Sequence, residues 1–394
     1  MTATASHDLV FDPYDTELMK DPHPTLRRLR DEAPLYYNPD LDFYAVTRYE
    51  DVEKALVDKT TFISGRGTTI GMIKMGLKFP PGTVLFEDPP SHTIHRKLLA
   101  RLFTPRQLAK IEDQTREFCR EVLDPLVGSG GFEFVKDFAR HIPTRVIAML
   151  IGIPDSDAAA VRDKLATYTL DEEGSDELFG GGIFEEYVDW RIANPSDDIM
   201  TQLLTIEFED EEGVTRHLTR EELLAYVNIV AMAGNETTRH LLSWTGKLLA
   251  ENPDQRALLL EDPSKIPSAV EEVMRLEGPV GESARYVARD VEIHGQTVPA
   301  GAHMAIVLLA ANHDDRKFDD PDRFLVDRPG RQQLTFGFGP HFCLGASLAR
   351  LEARIAIDEM LKRFPSWDVD QDGAVMKSAG MDIRGWATLP IVLP

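Results

Sequence analysis

Cysteine is nearly absent from this chain: its 394 residues hold two, Cys119 and Cys343. Two thiols exclude a disulfide framework and, without paired spacing, a zinc site; they fit a reducing compartment. Long apolar runs are missing as well, since no stretch approaches the ~18 residues of a membrane helix. Met1 to Val10 carry neither the basic nor the apolar block of a signal peptide, so the expectation is a cytoplasmic protein without a membrane span. Positive charge is in deficit, with 43 Lys and Arg against 66 Asp and Glu and a net charge of −23. That balance argues against nucleic acid, which wants a basic face, and reads as a solubility device. The acidic segments Asp171-Glu172-Glu173 and Glu207 to Glu212 are expected to be solvated loops. Repeats, low-complexity stretches and separating linkers are also lacking. With 43% hydrophobic residues, residues 1–394 are expected to form one domain around a large core. No nucleotide fingerprint stands out. Gly65-Arg66-Gly67 with Gly71 lacks a convincing strand before it and a helix after it.

What the chain does have is helical periodicity. It predicts helices over Thr25 to Asp31, Glu50 to Asp58, Ser91 to Leu102, Pro105 to Leu126, Phe138 to Leu150, Asp155 to Thr167, Phe184 to Arg191, Ile199 to Leu204, Arg220 to Glu251, Ser268 to Glu277 and Ala346 to Phe364. Strand patterns are few and short. Leu35 to Tyr37 and Phe43 to Thr47 pair early, and Asp290 to Ile293, Thr297 to Val298 and His303 to Val307 read as a meander about His294-Gly295. The expected fold class is mainly α with a small β region built from both ends of the chain.

The densest chemical signal is Phe336-Gly337-Phe338-Gly339-Pro340-His341-Phe342-Cys343-Leu344-Gly345, placed just before the last long helix. Its glycines at 337, 339 and 345 let backbone approach a bulky object and turn without a Cβ penalty. A sulfur before a helix start faces unpaired N–H groups, which favour a thiolate. One thiolate in a tight apolar loop, with a basic His341 two residues earlier, suits the axial ligand of a heme iron. A structural thiol and a cysteine nucleophile remain open alternatives. Cys119, in a helical stretch, reads as a small core residue.

The long helix opens on a capping box, Thr219 with Glu222, and stops at Asn252-Pro253. Its apolar half is interrupted by Ala233-Gly234-Asn235-Glu236-Thr237-Thr238. An acid and two hydroxyls in a buried helix are costly unless they are paired or have work to do. Gly234 and threonine back-bonding suggest a local opening of the helix. Glu272 and Arg275, three apart, share one helical face, as His92 and Arg96 do at four.

These motifs, in this order, resemble the cytochrome P450 superfamily of heme-thiolate monooxygenases, in its soluble bacterial form. The resemblance runs from about Asp12 to Leu393 and implies a long central helix over the heme, with the thiolate loop on its opposite face. Heme b (iron protoporphyrin IX) is the implied cofactor, with Cys343 as metal ligand and Phe336, Gly337 and Gly345 shaping the loop. His92, Arg96, Arg285 and His341 would bind the heme propionates, and Ala233 and Gly234 would lie over the ring. Thr237 would hydrogen-bond dioxygen, Glu236 would relay protons and Thr238 would support a kink. Glu272 and Arg275 would form a structural triad with Arg323.

The reaction implied is insertion of one oxygen atom from O2 into an unactivated C–H bond. Two electrons would come from a ferredoxin and its separate reductase, since the chain has no fused electron carrier. Arg96, Lys97, Arg101, Arg316, Lys317, Arg350 and Arg354 suggest a basic docking patch. The substrate pocket is expected along Gly65 to Leu77, Leu165 to Tyr187, Val227 to Met232, Pro279 to Gly281 and Gly380 to Ile383. Ile70, Met72, Ile73, Met75, Leu77, Met232 and Met381 would make it apolar and adaptable. A lipophilic small molecule follows: a terpenoid, a steroid or a fatty acyl chain. Gly180-Gly181-Gly182 suggests a mobile lid. A monomer is expected. The competing readings are a peroxide-driven heme-thiolate enzyme, a non-catalytic heme sensor and, furthest off, a cysteine hydrolase.

Overall fold

In the computed structural model, residues 9–153, 184–195, 199–329, 332–378 and 380–394 are described. The expected helix Asp155 to Thr167, the acidic loop Asp171-Glu172-Glu173, the lid at Gly180-Gly181-Gly182 and most of the pocket stretch Leu165 to Tyr187 lie outside the described residues.

The architecture is organised by one helix that traverses the largest core. Six helices matter for the site: α1 (Ser91–Leu99), α2 (Pro105–Leu123), α3 (His141–Leu150), α4 (Arg220–Glu251), α5 (Ile266–Glu277) and α6 (Ala346–Arg363). α4 starts at the expected capping box. Thr219 Oγ1 accepts the Glu222 N–H at 3.1 Å and Glu222 Oε2 accepts the Thr219 N–H at 2.9 Å. Its 32 residues, at ~1.5 Å each, reach about 48 Å. Every residue from Leu223 to Ala231 is buried, so this half has no solvent face and needs its apolar composition. The core around it takes Phe118 and Cys119 of α2, Ile142 to Leu150 of α3 and Leu348 to Leu361 of α6. Cys119 is fully buried, and burial pushes its thiol up, as a small core residue should behave.

A five-stranded sheet packs to one side, in the order β1 (Leu35–Asn38), β2 (Phe43–Val46), β5 (His303–Ile306), β4 (Ser283–Val287), β3 (Phe62–Ile63). Early and late segments therefore share one sheet, as expected. The meander does not form. Val291–Ile293 and Gln296–Val298 pair only with each other, while β5 lies parallel to β2 and antiparallel to β4. Strand β4 carries no clean alternation because it is buried on both faces, which hid it from the period-2 pattern. A two-stranded hairpin, β6 (Val375–Ser378) with β7 (Arg384–Thr388), packs against α4. The acidic stretch after Ile206 is a small hairpin rather than a plain loop, with Asp210 gripping Arg216 at 2.9 Å. No helix among the described residues is long and apolar enough to cross a membrane.

Candidate active site

A cavity of about 690 Å³ lies between α4 and the cysteine loop. It is lined by every predicted site residue: His92, Arg96, Ala233, Gly234, Glu236, Thr237, Arg285, Phe336, Gly337, His341, Cys343 and Gly345. These come from segments up to some 250 positions apart.

The cysteine loop is folded by its own backbone. The Cys343 N–H donates to the Phe336 carbonyl at 2.7 Å and the Gly337 N–H to Leu334 at 2.7 Å. Gly337 and Gly339 take φ of +69° and +71°, and a Cβ on Gly339 would meet the Leu56 carbonyl at 3.1 Å. Gly345, at φ −82°, needs no such freedom. The sulfur keeps some accessible surface because it faces the cavity. The peptide N–H groups of Gly345 and Ala346 do point to it, yet burial outweighs them and pushes the thiol up.

Around the loop stand four donors that lack an acceptor of matching charge. Arg96, on α1, donates to the Phe342 carbonyl and has no ion-pair partner among the described residues. Arg285, on β4, donates to Ser283 Oγ (2.8 Å) and the Ala284 carbonyl (2.7 Å). Burial, only partly offset by Asp88, lowers its pKa to about 10. His92 and His341 face each other at 4.1 Å between ring centroids. The Nε2 of each is buried without a hydrogen-bond partner. Burial, with Arg285 and the neighbouring His92 and Arg96, holds His341 down at about 2; burial and Arg96 hold His92 at about 4. One sulfur, two unpaired guanidinium groups and two orphaned imidazole nitrogens fit a metalloporphyrin bearing two carboxylates.

On α4 the Thr237 hydroxyl donates to the Ala233 carbonyl at 2.7 Å, the back-bond to the preceding turn. The expected opening does not follow, because the helix runs unbroken through Gly234 and Thr238. Gly234 has a packing reason instead. A Cβ there would sit 2.5 Å from Ile147 Cδ1 on α3. Glu236 is held by three partners: Arg239 Nη2 at 2.9 Å, Lys377 Nζ, and His240 Nε2 at 3.6 Å. Burial opposes its charge, but His240 and Lys377 prevail and hold the carboxyl near 2. Arg239 and His240, three and four residues on, were legible from helical spacing. Lys377 was not, since it arrives on β6.

The triad differs from expectation at one position. Glu272 receives Arg275 bidentately (2.8 and 2.9 Å) and, from the other side, Arg328 Nε (2.9 and 3.1 Å). Arg323 contributes only its carbonyl; its side chain is 68% exposed and faces Asp320 at 3.6 Å. Both arginines lie on the same loop, and only packing decides which one turns inward.

The pocket lining is mixed. Thr68, Thr69, Met72, Ile229, Val230, Met232, Pro279, Val280 and Ile383 line it as expected. Ile70, Ile73 and Met381 are buried in a separate core, and Met75 is exposed. Asp382 lies within the expected Gly380 to Ile383 stretch, whereas sequence reasoning missed the charged members Glu282, Lys377 and Glu352. The basic patch is largely neutralised: Arg350 pairs with Glu271, Arg354 with Glu112 and Arg316 with Asp31 and Asp314.

Residues 182–384 match the family model described as Cytochrome P450. The chain is 36% identical to a putative cytochrome P450 123 of Mycobacterium bovis, over 98% of this chain and 97% of that protein. It is 33% identical to a vitamin D(3) 25-hydroxylase of Pseudonocardia autotrophica, over 100% of this chain and 98% of the other. Among solved structures, CYP109Q5 of Chondromyces apiculatus superposes with a TM-score of 0.86 at 31% identity, covering 97% and 98% of the two chains.

Proposed function

This chain belongs to the cytochrome P450 family of monooxygenases, which bind heme b through a cysteine thiolate, and from that premise we propose that it hydroxylates a lipophilic small molecule using dioxygen and two electrons from a ferredoxin and its reductase. Residues 1–394 act as one domain in this reading. The observation that carries it is the convergence on one cavity of Cys343, Glu236-Thr237, two guanidinium groups without a carboxylate partner among the described residues, and two imidazole nitrogens without a hydrogen-bond partner.

In the mechanism we propose, Cys343 would be the metal ligand, and Arg96, Arg285, His92 and His341 would hold the propionates by charge and hydrogen bond. Heme, when bound, supplies the dioxygen chemistry, which the protein tunes through the thiolate. Ala233 and Gly234 present a surface with little side chain, so a flat group can lie close to α4. Phe336, Gly337 and Gly345 wrap the sulfur and exclude water from it. The Thr237 hydroxyl leaves the Ala233 carbonyl to donate towards dioxygen. Glu236, once its hold on Lys377 and Arg239 is released, would accept a proton from the solvent side and pass it towards Thr237. Met72, Ile229, Val230, Met232 and Val280 give the substrate an apolar bed, which suits a terpenoid, a steroid or a fatty acyl chain. The relative named for vitamin D(3) hydroxylation supports the steroid-like end of that range.

The reading is tested by Cys343→Ser. The variant should lose the thiolate carbon-monoxide spectrum of the reduced protein and all turnover; retention of both would refute it. For the electron donor, Lys97 and Arg101 are members of the expected patch that stay exposed without an ion pair among the described residues. Reversing both charges should weaken ferredoxin-driven reduction several-fold at low salt, and the effect should shrink as salt rises. An unchanged reduction rate would dismiss this docking face.

A further inference from the structure

Two acids on the cavity wall have no part in the chemistry above. Glu282 and Asp382 both line the cavity. Glu282 is 4% exposed, and its Oε2 is buried without a hydrogen-bond partner. Its position is fixed by the backbone: the N–H groups of Gly281 and Glu282 both donate to the Met381 carbonyl, at 3.0 and 3.2 Å. A Cβ on Gly281 would come within 2.6 Å of that oxygen, so only glycine lets the two segments meet this closely. The contact brings the segments carrying Glu282 and Asp382 together on the wall of the one cavity.

Neither acid has an ion-pair partner among the described residues. Lys377, which acts favourably on Asp382, is gripped by Glu236. Asp12 and Tyr14 approach from the N-terminal segment and add no cation. Burial, then Asp382 and Asp12, push Glu282 up to about 8, and burial raises Asp382 as well. Two crowded, desolvated carboxyls in a ligand cavity are unfavourable unless something that binds there brings the opposite charge.

We propose that Glu282 and Asp382 recognise a cationic nitrogen on an otherwise apolar substrate, so that the pocket takes lipophilic ammonium compounds in preference to neutral lipophiles. This rests on the reading of the cavity as the substrate pocket. The apolar bed holds the body of the molecule, and the acid pair anchors one charged end and sets its orientation.

The test is calorimetric titration of the heme-loaded protein with an alkyl trimethylammonium compound and its neutral tert-butyl isostere. Neither carries a nitrogen lone pair that can bind iron. The cation should bind about tenfold tighter or better. At pH 7 its binding should release part of a proton, seen as a buffer-dependent heat, because the carboxyl pair ionises against it. In Glu282→Gln the preference should fall to about one, and in Asp382→Asn it should fall partway. Equal or tighter binding of the neutral isostere to the wild type overturns the proposal, with or without foldable variants. So does a preference that persists in both variants while turnover drops, since that would assign the pair to proton movement. The carbon-monoxide spectrum of the same wild-type preparation tests the family reading separately. A missing thiolate band defeats that reading, whereas a normal band without cation preference defeats this proposal alone.

Discussion

The Glu272 carboxylate is 3% exposed and is shared by two arginines, which makes the cost of losing one of them calculable. Arg328→Leu removes one charged partner and three further donor contacts, to the carbonyls of Asp319, Asp320 and Arg323. Breaking a buried ion pair from one side costs about 3–5 kcal/mol. Arg275 remains bidentate, which pulls the value to the low end. Three carbonyls that lose a donor, at roughly 1 kcal/mol each, push it back up. A total of about 3–5 kcal/mol is a large share of the 5–15 kcal/mol that typically stabilises a native protein. Arg323→Leu removes one exposed contact and should cost under ~1 kcal/mol. Denaturant unfolding of both heme-loaded variants, compared at constant slope, reads the difference. The fraction of protein retaining heme should fall in Arg328→Leu only. The reasoning is refuted if the two variants lose equal stability, or if Arg328→Leu stays within ~1 kcal/mol of wild type.

Two further outcomes follow from the packing around α4. A Cβ on Gly385 would sit 1.9 Å from His240 Nδ1, and His240 is fully buried. Gly385→Ala should therefore cost about 1–3 kcal/mol or more by overpacking, and His240→Ala in the same chain should recover part of that loss. Strictly additive unfolding energies for the pair would disprove the clash. His95 lies between Glu87 (2.8 Å) and Glu222 (3.7 Å), in a group that includes Arg216 and Tyr226. Burial opposes its charge, yet Glu222 and Glu87 prevail and raise it to about 9. The stabilisation is fully present below the unfolded value near 6.5 and is lost as pH rises through about 9, a swing of roughly 3 kcal/mol. Stability measured from pH 6.5 to 9.5 should decline more steeply for the wild type than for His95→Gln; parallel curves would exclude His95 as the cause.

The heme-binding loop was legible because its signal is local. Glycines that need positive φ, a proline and a cysteine before a helix start all act within ten residues. The capping box of α4 and the pairings of Glu236 with Arg239 and His240 are equally short-range, fixed by the helix repeat. Other parts were misread for want of distance information. Arg323 and Arg328 are equivalent to any local rule, and the side chain turned inward is the one that reaches both Glu272 and three carbonyls. Strand β4 shows no alternation because both its faces are covered. Arg285, Arg96 and His92 stand around His341 and, with burial, push its ring pKa down, an environment that no local rule places there.

By itself the amino-acid order determined the family, the glycine-rich loop around a single thiol, the capped central helix and the acid-threonine pair. Each is written within one helical turn or one tight loop, where backbone geometry leaves few choices. The tertiary structure alone decided that Lys377 reaches Glu236, that Arg328 reaches Glu272, and that Glu282 and Asp382 line one cavity. Those contacts join residues 50 to 140 positions apart, and their energies come from burial and charge, which exist only once the core has closed around them.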